Sequence, residues 1–129
     1  NDKITRKMDL PLPEANKDLS PGDHLLNSGH HGIALSGDDQ TICVAGTMDC
    51  YIALVDRETF EYEIITLSDD PKEAKPYWAT SSKDGTQAYV SISGLDKVSV
   101  VDYATRKVVA EVPVGNHPQR VRNGQLRLR

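Results

Sequence analysis

From residue 31 onward, apolar and polar positions alternate in short runs that are separated by turn-forming residues. Alternation over about four to eight residues predicts strands with one buried face, and the Ser, Asp and Gly residues between the runs predict tight turns. No segment keeps apolar residues at the 3.6-residue spacing of an amphipathic helix. The chain is therefore predicted to be all-β.

Eight strands are predicted, in two groups of four. The first group comprises residues 33–35, 41–45, 51–55 and 62–67. The second group comprises residues 77–80, 88–92, 97–101 and 107–112. Because short turns join consecutive strands within each group, each group is expected to form one four-stranded antiparallel sheet.

The two groups also repeat one another residue by residue. Positions 46 apart carry the same residue in Ser36 and Ser82, Asp38 and Asp84, Val44 and Val90, Val55 and Val101, Asp56 and Asp102, and Thr59 and Thr105. The matches fall at turns and strand ends. An internal period of about 20–50 residues is typical of stacked architectures, in which no unit buries its apolar face alone.

The two ends of the sequence match parts of further units. Residues 1–12 align with the last strand of the second unit, because Asp2 to Lys7 match Asp102 to Lys107. The predicted organisation is a last strand of a preceding unit at 1–12, a loop at 13–30, one unit at 31–67, a second at 76–113, and the first strand of a following unit at 114–129. Since both ends stop inside a unit, we expect a piece of a longer protein. Association of several copies and a small open sandwich are the alternatives.

Charge and hydropathy narrow the classes of function. The formal net charge is −4, with 15 Lys and Arg against 19 Asp and Glu, and no long run of like charges. A nucleic-acid partner is therefore not expected. No apolar run approaches the roughly 18 residues that a membrane span requires. The chain starts with Asn1 and shows no signal-peptide pattern, so we expect a processed chain or a start that is not the natural one.

The two cysteines allow two interpretations. Cys43 and Cys50 bracket the predicted turn at residues 46–49, and two strands of one hairpin would bring them near each other. A disulfide is then expected if the protein is exported. Two reduced, buried thiols are the alternative. A zinc site is not indicated, because there is no second cysteine pair.

Several motifs resemble the YVTN-type β-propeller repeat. They are a Ser-Lys-Asp-Gly turn, a Tyr-Val strand, a Val-Ser-Val-Val-Asp strand, a Thr-Arg-Lys-Val-Val segment, and Val-Gly followed by Pro, at residues 82–85, 89–90, 98–102, 105–109 and 114–118. The resemblance implies two complete four-stranded propeller blades with one extra strand at each end. Propellers close with about 4–8 blades, so the remaining blades, on the same or another chain, are expected partners. The resemblance also implies an extracytoplasmic location, which is usual for proteins of this repeat family.

Three of the four histidines fall on loops, and His31 directly follows one of these loops; a propeller places such loops on one face around its central channel. We call this the loop face, and it comprises residues 13–30, 46–49, 68–75, 93–96 and 115–117. His24, His30, His31 and His117 are therefore candidate ligand-binding residues, against the alternative of ordinary loop histidines.

Two functions are compatible with this face. The first is a binding or scaffold module for a protein or small-molecule ligand. The second is an oxidoreductase in which His30, His31 and His117 hold copper or haem, because imidazole suits both metals. No catalytic residue is predicted, since the sequence has neither a Gly-x-Ser-x-Gly elbow nor a phosphate-binding glycine loop.

Overall fold

The computed structural model of the protein describes residues 3–12, 14–18, 20, 30–70 and 72–124. Two antiparallel four-stranded sheets account for most of it. The first sheet contains β1 (Gly32–Leu35), β2 (Thr41–Gly46), β3 (Tyr51–Asp56) and β4 (Tyr62–Thr66). The second sheet contains β5 (Pro76–Ser81), β6 (Gln87–Ile92), β7 (Lys97–Asp102) and β8 (Lys107–Pro113). In both sheets the strands lie in chain order.

These sheets confirm the all-β prediction. The helical content of the described residues is two 3-10 turns, Glu14–Asn16 and Ser93–Leu95. None of the helices in the described part of the chain is long and apolar enough to cross a membrane.

The strand register repeats with the sequence. Thr41 pairs with Asp56 in the first sheet, and Gln87 pairs with Asp102 in the second. The two central hairpins therefore superpose position by position with a shift of 46 residues. A one-residue slip would move every side chain to the opposite face, so the shared register places equivalent residues on equivalent faces of the two sheets.

The turn after each third strand is built by an aspartate. The carboxylate of Asp56 accepts hydrogen bonds from the backbone N–H groups of Glu58 and Thr59, at 2.8 and 2.7 Å. The carboxylate of Asp102 accepts one from the backbone N–H of Thr105 at 2.7 Å. Such Asp turns end one strand and start the next, which explains why both hairpins stop at equivalent positions.

The two sheets pack face to face and share one apolar core. Strand β1 lies against β5, and we call this contact the joint between the sheets. Near it, the backbone N–H of Gly37 donates to the carbonyl of Gly85 at 2.9 Å. The core includes Cys43, Ala45, Ile52 and Leu54 from the first sheet and Ala79, Ala88, Val90, Ile92 and Val101 from the second. Neither sheet alone would remove these side chains from water, which is the behaviour expected of stacked repeats.

The segments that flank the sheets correct one expectation. We predicted an extra strand at each end, but residues 3–12 and 114–124 contain no strand within the described part of the chain. A strand needs a hydrogen-bonded neighbour, and no sheet pairing is formed by either segment there. Instead, Met8 and Leu10 pack on the outer face of the first sheet, and Ser93 Oγ donates to the carbonyl of Pro118 beside the second.

The structure also distinguishes the two interpretations of the cysteines. Cys43 and Cys50 are both free and buried. The β2–β3 register places Cys43 opposite Leu54, four residues beyond the position of Cys50 along β3. Four residues of strand span roughly 13 Å, whereas a disulfide needs Cα atoms about 4.4–6.8 Å apart. The alternative of two reduced, buried thiols is confirmed.

We expect both thiols to resist a soluble disulfide reagent in the native protein at pH 8. Burial raises the pKa of Cys43 to about 12, so its reactive thiolate is scarce at that pH, and Cys50 is covered by the surrounding protein. Colorimetric titration should detect no reactive thiol in the native protein and two reactive thiols after unfolding in urea. Absence of free thiol in the unfolded protein would contradict the free state of the cysteines.

Candidate functional site

The connections of the loop face do lie at one end of the two sheets. The backbone N–H of Leu67, which follows β4, donates to the carbonyl of Cys50 in the β2–β3 connection at 3.0 Å. In the second sheet, the backbone N–H of Val114 donates to the carbonyl of Asp96 at 2.9 Å. In each sheet, the start of the third strand is thus hydrogen-bonded to the chain that leaves the fourth strand.

His30 lies just before β1 and is held by a tyrosine. Its Nε2 atom is 3.0 Å from the hydroxyl of Tyr51, and that hydroxyl donates to the carbonyl of Pro11 at 3.2 Å. A hydroxyl has one proton, so Tyr51 accepts from His30, and His30 carries its proton on Nε2. The same nitrogen lies 3.9 Å from a carboxylate oxygen of Asp49.

His31 is held in the opposite tautomer. Its Nδ1 atom is 2.9 Å from the hydroxyl of Thr47, and that hydroxyl donates to the carbonyl of Pro76 at 2.6 Å. Thr47 must therefore accept from His31, which carries its proton on Nδ1. The ring of His31 stacks on that of Tyr77, with centroids 4.5 Å apart. His31 directly precedes β1 of the first sheet, whereas Tyr77, on which it stacks, and Pro76, to which Thr47 donates, lie in β5 of the second. This histidine therefore lies at the joint.

A buried carboxylate, that of Asp49, lies beside His30. The side chain of Asp49 is fully buried. The side-chain amide of Asn16, itself buried, donates to the carbonyl of Met48 at 2.7 Å and to a carboxylate oxygen of Asp49 at 3.4 Å. These bonds tie the short 3-10 helix to the β2–β3 connection. Burying a carboxylate costs free energy unless the carboxylate is hydrogen-bonded, and Asn16 supplies such a hydrogen bond to Asp49.

The electrostatics of the site follow from this burial. The pKa of His30 lies below its ordinary value, chiefly because burial disfavours the charged ring; the nearby carboxylate of Asp49 opposes the shift, and His31 adds to it. Burial raises the pKa of Tyr51, and Asp49 and Tyr62 reinforce this effect. At neutral pH, the cluster therefore presents a neutral His30 and a protonated Tyr51.

We expect the lowered pKa of His30 to make the folded protein sensitive to acid. A group whose folded pKa lies below its unfolded value stabilises the fold above the unfolded value, here 6.5, and that contribution is lost as pH falls through the folded pKa. The free energy of unfolding should therefore fall more steeply below about pH 6.5 in the natural protein than in His30→Gln. Urea titrations between pH 5 and 8 measure both slopes, and equal slopes would contradict this linkage.

The structure brings two of the four predicted histidines together. His30 and His31 share the cluster, whereas His117 is exposed in the chain that follows β8, where its backbone N–H donates to the Asp96 carboxylate at 2.8 Å. His24 lies outside the described residues. Within the described ranges, no three His, Cys, Asp or Glu side chains are arranged to hold a metal ion. The role of His30, His31 and His117 as metal ligands stays a prediction.

Sequence reasoning missed the residues around the histidines. Asp49 and Thr47 were treated only as parts of a turn, and Asn16 only as part of a polar loop. One signal was available for Thr47, because Ser93 stands 46 positions later and its hydroxyl makes the equivalent bond to the carbonyl of Pro118. No signal in the sequence indicated that Asp49 is buried.

Comparisons with known proteins identify the class of fold. The chain is similar to hydrazine synthase of Kuenenia stuttgartiensis, with a TM-score of 0.60 and 25% identity over 70% of this chain and 24% of that chain. It is similar to virginiamycin B lyase from Staphylococcus aureus, with a TM-score of 0.58 and 12% identity over 72% and 30%. For apo AztD from Citrobacter koseri the TM-score is 0.56, with 17% identity over 70% and 25%.

Virginiamycin B lyase and AztD are β-propeller proteins, and the two sheets of this chain are blades of a β-propeller. The chain spans about a quarter to a third of the length of the solved structures it matches. Other blades therefore complete the propeller. No family profile and no curated protein sequence matches the chain, and the YVTN-type repeat stays a prediction.

Proposed function

We propose that the chain supplies two consecutive blades of a binding propeller, and that the cluster of His30 and His31 is the ligand site on its loop face. The ligand is a small molecule or a segment of another protein. The YVTN-type resemblance supports this assignment. It also supports an extracytoplasmic location, for which the free cysteines offer no further argument.

The outer face of the first sheet supports the part of the proposal that concerns further blades. A groove of about 560 Å³ on this face is lined mainly by apolar side chains, among them Leu10, Ile33, Val44, Val55 and Phe60. Ile33 is 69% exposed. The equivalent face of the second sheet, which includes Ala79, Ala88, Val90 and Val101, is buried against the first sheet. A preceding blade would cover the groove in the same way.

The observation that carries the ligand site is the pairing of two oriented imidazoles with a buried carboxylate at the joint between blades. Loops on a rigid scaffold are where proteins place binding residues, and β1 and β5 supply that scaffold here. Each ring is oriented by a hydroxyl whose own proton goes to a backbone carbonyl. Such second contacts hold side chains in a defined geometry, which a binding site requires.

Nuclear magnetic resonance of the imidazole nitrogens tests this proposal. We would add a fragment library of neutral, cationic and anionic aromatic compounds to the purified chain and follow the ring signals of His30 and His31. Fragments that shift both rings, and that bind less well to the double variant His30→Gln, His31→Phe, would support a ligand site. A library in which no fragment moves either ring would overturn it.

The adjacent imidazoles also favour a second candidate, a redox enzyme that holds copper or haem through His30, His31 and His117. The solved neighbours named hydrazine synthase and virginiamycin B lyase are enzymes by name, so blades of this shape occur in enzymes. Elemental analysis and the optical spectrum of the purified protein separate the two candidates. A coloured, metal-bearing sample would replace the binding module with the enzyme, and a colourless, metal-free sample would reject the enzyme.

A further inference from the structure

We propose that His31 Nε2 is the hydrogen-bond acceptor through which the loop face binds an organic ammonium group. This inference rests on the proposed function of that face and specifies the chemistry of its ligand. It is carried by the hydrogen bonds, the ring stacking and the charges around His31.

The acceptor follows from proton counting. Thr47 uses its one hydroxyl proton on the carbonyl of Pro76, so His31 must place its own proton on Nδ1. In the neutral ring, the remaining nitrogen, Nε2, then carries a lone pair and accepts a hydrogen bond. No hydrogen bond to this atom is formed among the residues that the structure describes. His31 is thus a half-buried ring with one nitrogen bonded and one nitrogen available to a donor.

The ring is held in place from both sides of the joint. Its face stacks on Tyr77 with planes only 16° apart, and its edge is fixed by the buried hydroxyl of Thr47. The second sheet has the same hydroxyl bond, from Ser93 to Pro118, but the position equivalent to His31 is occupied there by Tyr77. The hydroxyl-to-carbonyl bond is therefore common to both blades, whereas the acceptor nitrogen is present only in the first.

The surroundings favour a positively charged donor. The carboxylate of Asp49 is buried two residues from Thr47 and beside His30. A hydrogen bond from a charged donor is about twice as strong as one from a neutral donor. An ammonium group supplies both the donor proton and the positive charge, whereas an anion would be repelled by Asp49.

The first measurement concerns the tautomer and needs no ligand. Long-range nitrogen–proton spectra should show His31 with its proton on Nδ1. Thr47→Ser keeps the hydroxyl and should preserve this pattern, whereas Thr47→Val removes the acceptor and should shift the population toward the other tautomer. A natural protein with the His31 proton on Nε2 would overturn the inference.

The second measurement concerns the ligand class and compares benzylammonium, benzyl alcohol and benzoate, which share one ring and differ in charge. Benzylammonium should shift the His31 signals at the lowest concentration. Its affinity should fall about tenfold in Thr47→Val and in His31→Phe, which keeps the stack on Tyr77, and should be retained in Thr47→Ser.

The possible results separate the two proposals. If benzoate binds best, or if Zn²⁺ or Cu²⁺ shifts the rings while benzylammonium does not, the ammonium inference falls and a ligand site remains. If neither the fragment library nor these probes move the rings, the ligand site itself falls as well.

Discussion

Replacing Gly32 with valine is expected to destabilise the protein by about 3 kcal/mol. Gly32 is buried in β1, where this strand crosses β5, and a Cβ atom at this position would lie 2.3 Å from the backbone nitrogen of Ala79 and 2.5 Å from the Cα of Trp78. These are backbone atoms, which cannot rotate away. The variant can keep its first sheet only by moving it away from the second, which opens the core that the two sheets share.

Urea unfolding followed by the fluorescence of Trp78 measures this effect at the joint itself, because Trp78 is the single tryptophan of the chain and lies in β5. Gly115→Val is the matched control, since a Cβ at Gly115 would meet no atom within 4 Å. We expect this control to change stability by less than about 0.5 kcal/mol. Similar losses in the two variants would show that β1 and β5 are not in close contact.

The strands could be predicted because the information that sets them is local. The predicted bounds agree with the observed strands to within one residue at each end, as in 51–55 against Tyr51–Asp56. Asp56 and Asp102 fix the hairpin turns through bonds to the next few residues. Alternation then decides which side chains face the core. The 46-residue repeat added the prediction that neither sheet is sufficient alone.

Features that depend on distant parts of the chain were not predictable from these patterns. Residues 3–12 have a strand-like sequence, but strand formation depends on a hydrogen-bonded neighbour, which a pattern cannot supply. The Cys43–Cys50 disulfide was one of two interpretations because the sequence shows a hairpin but does not show its strand register. Once Gly46 pairs with Tyr51, Cys43 lies opposite Leu54 and far from Cys50.

In the candidate site, too, some features could be predicted from local sequence and others depend on distant parts of the chain. The positions of His30 and His31 at the loop face follow from their place before β1, which the sequence showed. Their partners could not be derived in this way, because the burial of Asp49 depends on the approach of Asn16 from 33 residues earlier in the chain. The tautomer of His31 depends likewise on the carbonyl of Pro76, 29 residues from Thr47.

Leu54→Ala is expected to cost about 3 kcal/mol of unfolding free energy. Leu54 is fully buried in the core between the sheets, and truncation removes apolar contacts and leaves a cavity among side chains of both sheets. Since β3 is an inner strand of the first sheet, with β2 and β4 on its two sides, the surrounding backbone has little freedom to collapse into the space. Urea unfolding with circular dichroism at the strand wavelength measures the loss.

Leu35→Ala is the matched control, because it deletes the same atoms from a strand residue that is 40% exposed. We expect it to cost less than about 1 kcal/mol, since a large part of that side chain already contacts water. The comparison also bears on the site, because the stack of His31 on Tyr77 exists only while the sheets stay in register across their core. Leu54→Ala should therefore weaken the stacking of His31 on Tyr77, while Leu35→Ala should leave this stacking intact. Equal losses of stability in the two variants would mean that the sheets do not share a core, and the joint that carries His31 would have no structural basis.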